Sequence, residues 1–352
     1  MKIAVIGAGF TGCLLANFLD SSSMEVSIFE KSRGCGGRAS TKQTDWGQCD
    51  LGASIVHAQK ADFVDFMQAM CRQGLASKWP TNVFVSPHNT LTQQTLENFV
   101  GDKIHYVFNG KMNAACRHWI KNANLYTNNL ISQIRHIDGK GWQLKSNDVW
   151  HPELFDKVVL TTPWPQTQVI IEQSELPINL PELSQSWTSC WSVGIKLEQP
   201  EKIKIPNIDL LYLKEQPIQT LIRDSAKPMR PQVSTSQSKE QSEIWVAQLD
   251  NKLSDELGKQ GKEEAISIAT RGLCELFAIP DKAVSNTYAH YWGYAKPGDG
   301  QKPLGILGQQ KYGLYIGGDW SFGNSIESAH EAARTMSQAI IMGEQSPVSV
   351  NI

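Results

Sequence analysis

The chain has 352 residues, of which 41% are apolar, which is enough for a large buried core in two domains or in one elaborated domain. Its 33 basic and 35 acidic residues give a net charge of −2 without a basic block, so we expect neither nucleic acid nor a membrane as a partner. No apolar run reaches the roughly 18 to 20 residues that cross a bilayer.

The cysteines and the N-terminus indicate a cytoplasmic protein. Seven cysteines are scattered along the chain and never form a Cys-x-x-Cys pair. An odd, scattered set is typical of a reduced protein with neither a disulfide framework nor a zinc site, so we predict no bound metal. The first strand begins at Ile3, which leaves no room before it for a signal peptide.

The first forty residues predict a dinucleotide site. An apolar strand at 3–6 runs into a Gly-x-Gly-x-x-Gly turn, and a helix and a second strand then lead to Glu30, 18 residues beyond Gly12. The glycines permit a tight turn, close approach of a pyrophosphate and close helix–strand packing, and the helix N-terminus attracts the phosphates. A carboxylate at the end of the second strand accepts ribose hydroxyls and repels a 2′-phosphate, which favours FAD or NAD over NADP. The predicted contacts are Gly7, Ala8, Gly9, Phe10, Thr11, Gly12 and Glu30.

A second Gly-rich segment favours FAD over NAD. Consecutive glycines at Gly36 and Gly37 let the backbone pass beside a pyrophosphate and a ribityl chain, and Arg38 offers a planar fork suited to a phosphate. Lys31, and also Arg33 and Lys42, add positive potential. NAD dehydrogenases normally have no second segment of this kind, so we assign Lys31, Gly36, Gly37 and Arg38 to FAD.

The middle of the chain alternates short strands with helices. The run at 157–162 has three consecutive apolar residues at its centre, Val158 to Leu160, which is typical of a strand buried in a parallel sheet. Ile131, at the start of another strand, is a further candidate FAD contact. The other predicted elements are a helix at 60–73, a hairpin at 81–100, a helix at 113–121 and strands at 125–126, 131–137 and 142–144.

The later residues predict antiparallel strands at 187–223, a helix from 254 or 262 to 277, a strand at 313–319 and a helix at 325–341. Residues 225–243 have few apolar side chains and predict a mobile surface loop, with a lid over the site as the alternative.

A third candidate FAD segment lies near the C-terminus. Gly318 and Asp319 follow an apolar strand and precede the last helix, with Asn324 as the expected N-cap and Glu327 three residues later. The positive end of such a helix stabilises the reduced, anionic flavin. The predicted contacts are Gly318, Asp319, Ser325, Ile326 and Ala329; an ordinary capped surface helix is the alternative.

Together these motifs resemble the FAD-dependent amine oxidase superfamily, and within it the renalase-like branch. Residues 30–38 match its second motif, and residues 50–53 match its Asp-x-Gly-Ala turn, which implies that Gly52 and Ala53 lie beside the flavin. Further segments are similar to renalase-like sequences and occur in the right order. They are 190–191, 223–228, 290–295, 318–320 and 327–329.

The resemblance implies a small-molecule oxidoreductase in which a reduced substrate transfers a hydride to flavin N5 and oxygen reoxidises the flavin. In renalases the substrates are dihydronicotinamide isomers of NAD(P)H, which carry an activated hydride and need no general base. Trp191, His290 and Trp292 are the candidate catalytic residues, with Tyr291 as a further stacking ring and Arg223 as a candidate phosphate or carboxylate contact. Each of them is also a common core residue or hydrogen-bonding residue.

Two other functions fit the same residues: oxidation of a small amine, and a flavin-bound redox sensor without turnover. We predict an α/β fold with a discontinuous Rossmann-like FAD-binding domain and a second, mainly antiparallel β substrate domain. The predicted FAD-binding domain comprises 1–80, 101–165 and 290–352, and the predicted substrate domain comprises 81–100 and 166–289.

Overall fold

The computed structural model describes residues 1–20, 24–86, 97–98, 101, 103–174, 176, 186–198, 207–231 and 242–343. The chain divides into two compact units. Unit 1 comprises Met1–Gly37, Ala115–Ser186 and Lys296–Ile352, and unit 2 comprises Arg38–Ala114 and Trp187–Ala295.

The strands are β1 Lys2–Ile6, β2 Glu25–Phe29, β3 Thr41–Thr44, β4 Gly47–Asp50, β5 Val56–Ala58, β6 Ala76–Lys78, β7 Val83–Ser86, β8 Glu97–Asn98, β9 Ile104–Phe108, β10 Asn124–Tyr126, β11 Ile131–Ile137, β12 Gly141–Ser146, β13 Val149–Trp150, β14 Lys157–Leu160, β15 Trp187–Leu197, β16 Leu210–Leu213, β17 Ile218–Ile222, β18 Glu243–Leu249, β19 Val284–Pro297, β20 Leu307–Gln309 and β21 Leu314–Ile316. The α-helices are α1 Phe10–Leu19, α2 Ala61–Arg72, α3 Ala114–Trp119, α4 Trp164–Glu172, α5 Asn251–Leu257, α6 Lys262–Phe277 and α7 Ile326–Met342. Among the helices described, none is both long and apolar enough to cross a bilayer.

Unit 1 is built on a parallel sheet with the strand order β10-β2-β1-β14-β21 and an antiparallel edge strand, β20. The core positions of β1 and β14 are almost completely buried, which explains why both strands are continuous apolar runs. Helices α1 and α7 pack on each other, and Phe18 meets His330 edge to face, with 5.6 Å between ring centroids. The small buried residues Ala329, Ala332 and Ala333 make room for this packing.

Unit 2 contains a larger, mostly antiparallel sheet with the order β19-β15-β18-β17-β16-β7-β8. Every second residue of β15 points to one face, as the two-residue period of a strand requires. On that face the sheet packs with α6 in the core of the unit, which includes Trp191, Val193, Ile195, Leu197, Trp245, Ala247, Leu249, Ala265, Ala269 and Leu273. The β3–β4 hairpin lies on the opposite face, because a Cβ atom at Gly194 would come within 2.7 Å of Cys49 Sγ.

Most of the predicted elements are confirmed. Strand β14 is buried and pairs in parallel with β1 and β21. Helix α2 confirms the predicted helix at 60–73 and is one residue shorter at each end. The alternative starts at 254 and 262 fall in two separate helices: residue 254 lies inside α5, which ends at Leu257 and is capped by Gly258 with φ +58°, and Lys262 begins α6.

Two predictions differ from the compact units and the packing observed. The predicted FAD-binding domain includes 38–80 and 101–114, which fall in unit 2 with the β3–β4 hairpin and the β5-β9-β6 sheet; which unit binds FAD stays a prediction. The predicted mobile loop at 225–243 is in part firmly packed, because Lys227 is buried and Glu243 begins β18. Residues 232–241 lie outside the described residues, and so does the lid alternative.

Candidate functional site

The Gly-rich turn between β1 and α1 has the geometry of a phosphate-binding turn. Gly7 has φ +106°, a conformation that side chains rarely adopt, and a Cβ at Gly12 would lie 2.1 Å from the Gly7 carbonyl oxygen. At Gly9, by contrast, a Cβ would meet no atom within 4 Å. The turn is therefore closely packed on its inner side and open beside Gly9, at the N-terminus of α1, where a helix attracts anions. This open side fits a pyrophosphate.

Glu30 ends β2 with its carboxylate held against the same turn. Its Oε2 accepts a hydrogen bond from the Ala8 amide at 2.9 Å, and its Oε1 accepts one from the Ser32 amide at 2.8 Å. The residue is 7% exposed. Because each carboxylate oxygen has further acceptor capacity, the group is fixed in place and still able to accept ribose hydroxyls.

The second Gly-rich segment lies against the first. The Gly36 amide donates to the Ala8 carbonyl at 2.8 Å, and a Cβ at Gly37 would lie 3.2 Å from Gly9 Cα. Gly36 and Gly37 have φ of +117° and +52°, so both conformations favour glycine. Lys31 is exposed. The structure thus brings the first two predicted dinucleotide segments of unit 1 together around Gly9.

The third predicted segment, also in unit 1, begins with Gly318, whose amide donates to Ser321 Oγ at 3.0 Å, and with Asp319. Helix α7 begins at Ile326 with Ser325 as its N-cap, because the Ser325 hydroxyl accepts from the Ser328 amide at 3.1 Å. The prediction of Asn324 as the N-cap is therefore wrong, since Asn324 is exposed one residue earlier. Ser325, Ile326 and Ala329 do lie in the first turn of the helix, as predicted.

Ile131, the remaining candidate FAD contact, lies in a different sheet. It begins β11, is 3% exposed and pairs with Ser146 of β12 in the small antiparallel sheet of unit 1. Its burial is explained by this packing, and its role at the cofactor stays a prediction.

In unit 2, the turn after β4 is held by groups from three other segments. Gln248 Nε2 donates to the Gly52 carbonyl at 2.6 Å, and Trp292 Nε1 donates to the Leu51 carbonyl at 2.8 Å. The Ala53 amide donates to the Arg38 carbonyl at 2.9 Å. A Cβ at Gly52 would overlap the Arg38 carbonyl oxygen at 1.7 Å, so only glycine fits here.

The Gly52 turn (residues 51–53) therefore lies against Trp292, one of the predicted catalytic residues. His290 is two residues before Trp292 on the same face of β19, and the two rings are 4.2 Å apart between centroids. Burial lowers the pKa of His290, and the nearby Lys42 lowers it further, so the imidazole is neutral near pH 7. A neutral His290 can donate one hydrogen bond and accept another.

Arg38 lies in the same unit. Its Nη1 donates to the Ala295 carbonyl at 3.0 Å, and its guanidinium lies 5.7 Å from the ring centroid of Trp187. The predicted role of Arg38 as a phosphate contact stays a prediction.

Beneath the Gly52 turn is a buried ionic cluster that sequence reasoning missed: Asp50, Asp224, Lys227 and Arg230. Lys227 Nζ lies 2.7 Å from Asp50 Oδ2 and 2.5 Å from Asp224 Oδ1, and Arg230 contacts both carboxylates. Burial alone would raise the pKa of Asp50, but Lys227 and Arg230 outweigh it and hold that pKa below its ordinary value. The only signal in the sequence is that acidic and basic residues occur in two segments of the resemblance, 50–53 and 223–228.

Three aromatic or basic candidates are accounted for by packing. Trp191 is 3% exposed in the core of unit 2, its Nε1 donates to the Gly258 carbonyl at 3.0 Å, and its ring contacts Tyr291 at 5.1 Å. Arg223 forms an ion pair with Glu243. These contacts account for the positions of Trp191, Tyr291 and Arg223, and their roles as substrate contacts stay predictions. In the described part of the chain, no group of three or more His, Cys, Asp or Glu side chains is arranged to hold a metal ion.

Comparison with known sequences concerns the N-terminal segment. Residues 5–70 match the NAD(P)-binding Rossmann-like domain family. Over 56 residues the chain is 48% identical to the 4,4'-diapophytoene desaturase (4,4'-diaponeurosporene-forming) of Staphylococcus aureus strain Newman. That match covers 16% of this chain and only 11% of the desaturase.

Comparison with solved structures covers almost the whole chain. A protein from Exiguobacterium sp. 255-15 assigned as a protoporphyrinogen oxidase has a TM-score of 0.70 at 12% identity, covering 97% of this chain and 98% of the other. An oxidoreductase from Methanosarcina mazei has a TM-score of 0.66 at 14% identity, covering 96% and 100%. A putrescine oxidase bound to putrescine has a TM-score of 0.67 at 10% identity, covering 97% and 99%. At these identities the similarity establishes the fold, and the predicted α/β fold class with a Rossmann-like dinucleotide-binding domain is confirmed.

Proposed function

We propose that this protein is an FAD-dependent oxidoreductase that oxidises dihydronicotinamide isomers of NAD(P)H. The observation that carries the proposal is the Gly52 turn of unit 2, held in place by Trp292 and Gln248 beside the neutral His290. In the superfamily that the sequence resembles, this turn lies beside the flavin.

The residues of unit 1 fit FAD as the cofactor. Glu30 would accept the adenosine ribose hydroxyls, and the amides beside Gly9 would hold the pyrophosphate together with Gly36 and Gly37. The N-terminus of α7, near Ser325, would place its partial positive charge toward the flavin ring. When bound, FAD supplies the acceptor for two electrons and a proton from the substrate.

The residues of unit 2 fit a substrate that needs positioning rather than a strong base. The imidazole of His290 is neutral and can hydrogen-bond a polar substituent, and the Trp292 ring offers an apolar surface at the same place. A dihydronicotinamide already carries the hydride on an activated ring and leaves as a stable aromatic cation. For such a donor, orientation and exclusion of water account for the catalysis.

Anaerobic reduction of the flavin tests the proposal. The FAD-loaded protein is mixed without oxygen with dihydronicotinamide isomers, with NADH and with small amines such as putrescine, and the oxidised flavin absorbance is followed. We expect rapid bleaching by the isomers and none by the amines. If only the amines bleach the flavin, the protein is an amine oxidase instead. If none of the compounds bleaches it, the redox sensor is favoured.

A matched pair of variants tests the part played by the Gly52 turn. Trp292→Phe keeps an aromatic ring but removes the hydrogen bond to Leu51, so it is expected to slow flavin reduction about tenfold, the effect of one lost hydrogen bond in positioning. Trp142→Phe removes a core hydrogen bond, from Trp142 Nε1 to the Tyr312 carbonyl, and is expected to lower stability while leaving the reduction rate of the folded protein unchanged. Equal rates in wild type and Trp292→Phe would contradict the assignment.

A further inference from the structure

We infer that Lys42, with Tyr288 and His290, forms an anion-recognition subsite that selects phosphate-bearing substrates over neutral or cationic ones. The inference rests on the proposed function, and it adds the residue that would recognise the phosphate on the ribose arm of the proposed substrate. It concerns unit 2 alone.

The position of Lys42 follows from the alternation of β3. The side chain of Thr41 turns toward Asp50, with Thr41 Oγ1 2.5 Å from Asp50 Oδ1, so the next residue points to the opposite side of the strand. There Lys42 Nζ lies 4.6 Å from the centroid of the Tyr288 ring. Tyr288, His290 and Trp292 are alternate residues of β19 and share one face. Lys42 is therefore on the same face of the sheet as the Gly52 turn.

Among the described residues, no carboxylate neutralises the charge of Lys42. In the part of the chain that the structure describes, Lys42 forms no ion pair with a carboxylate, and its recorded neighbour is an aromatic ring. Asp45, three residues away in the hairpin turn, is exposed and forms no ion pair with Lys42 among the described residues, and Asp50 is already paired with Lys227 and Arg230. Burial lowers the pKa of His290, and the positive charge of the nearby Lys42 lowers it further. A half-buried ammonium without an acidic partner favours an anionic ligand and disfavours a protonated amine.

The spacing limits the size of the ligand. Tyr288 and Trp292 are four residues apart on a strand, so their Cα atoms are separated by about 13 Å at roughly 3.3 Å per residue. A substrate ring at the Gly52 turn and an anion at Lys42 would therefore be separated by on the order of 10 Å. A ribose arm ending in a phosphate spans such a distance, whereas a carboxylate attached directly to the ring does not.

The test compares ligands with and without the phosphate, using the protein with its FAD site saturated so that the phosphate-binding turn of unit 1 is not available. Calorimetry measures binding of oxidised nicotinamide mononucleotide and of nicotinamide riboside to wild type, Lys42→Met, Lys42→Arg and Lys252→Met. Lys252 is an exposed lysine of α5 and serves as the matched control. Flavin reduction by the corresponding reduced compounds is measured on the same samples.

We expect wild type and Lys252→Met to bind the mononucleotide about tenfold more tightly than the riboside, as one charge-assisted contact provides. Lys42→Met should lose this preference while its riboside affinity is unchanged, and Lys42→Arg should keep most of it. Equal affinities for the two ligands in wild type, or equal losses for both in Lys42→Met, would overturn the inference.

The two proposals fail in different ways. If the mononucleotide preference depends on Lys42 but no reduced compound bleaches the flavin, the subsite stands and the proposed reaction fails. If reduced compounds bleach the flavin at the same kcat/KM with and without the phosphate, the proposed reaction stands and the subsite fails.

Discussion

Replacing Lys227 with methionine tests whether the buried ionic cluster holds the Gly52 turn of unit 2 in place. The ammonium of Lys227 lies within hydrogen-bonding distance of both Asp50 and Asp224, and the three side chains are between 0% and 2% exposed. In the wild type, two carboxylates face two cations, so the cluster is neutral overall. Lys227→Met leaves two buried carboxylates with Arg230 as their only cation within the cluster.

The expected cost follows from this imbalance. Breaking a buried ion pair on one side costs about 3–5 kcal/mol of unfolding free energy, because the remaining charge is buried without a partner. Methionine fills most of the volume of the lysine stem, so a cavity adds little to this cost. The surface pair of Lys145 and Asp148, 3.6 Å apart and with the aspartate almost fully exposed, should contribute at most about 1 kcal/mol. Lys145→Met is therefore the matched control.

Thermal unfolding followed by circular dichroism is the assay. For a unit of this size, each kcal/mol shifts Tm by about 2–4 °C. Lys227→Met should therefore lower the Tm of its unit, unit 2, by about 6–20 °C, and Lys145→Met should lower the Tm of unit 1 by no more than about 4 °C. The double variant Asp224→Asn with Lys227→Met restores neutrality and should recover part of the loss. If Lys227→Met behaves like the surface control, the cluster does not stabilise the unit through its charges.

Three further outcomes follow from the geometry. Glu30→Ala removes the acceptor of two backbone amides and should weaken FAD binding at least about tenfold in titrations of the apoprotein. Glu25→Ala, a substitution in the neighbouring strand β2, should leave FAD binding unchanged. Equal FAD affinities of wild type and Glu30→Ala would refute the ribose role. Gly12→Ala places a Cβ 2.1 Å from a carbonyl oxygen and should lower both Tm and FAD retention, whereas Gly34→Ala, with open space around it, should change neither. Burial lowers the pKa of His57 from 6.5 to about 4, so the unfolded chain binds a proton more tightly than the folded chain does. The free energy of unfolding therefore has its full value above pH 6.5 and falls by about 3 kcal/mol as the pH drops toward 4. His57→Gln should flatten the pH dependence of the urea midpoint in that range, and an unchanged slope would contradict the shift.

The elements with a strong local pattern were predictable. The apolar run at 157–160 can be buried on both faces only in a parallel sheet, and β14 is found there. The order of Gly7, Gly9 and Gly12 between a strand and a helix fixes the turn because each glycine answers a separate steric need. Such features depend on neighbouring residues, so the sequence contains the information directly.

The missed features depend on contacts between distant residues. Lys227 and Asp50 are 177 positions apart, and no periodicity marks an ion pair of that kind.

The core position of Trp191, by contrast, was readable, because Trp191, Val193 and Ile195 alternate along one face of β15. The N-cap of α7 was ambiguous, since both Asn324 and Ser325 are good capping residues and only the contact with the Ser328 amide decides between them.

The central claim is that the turn around Gly9 and the carboxylate of Glu30 bind FAD, and calorimetric titration of the apoprotein with FAD, FMN and NAD tests it most directly. We expect one FAD per chain, bound far more tightly than FMN, which lacks the adenosine ribose that Glu30 would bind. We also expect FAD to bind more tightly than NAD, which carries no flavin for the N-terminus of α7. Tight binding of NAD with weak or absent binding of FAD would contradict the account.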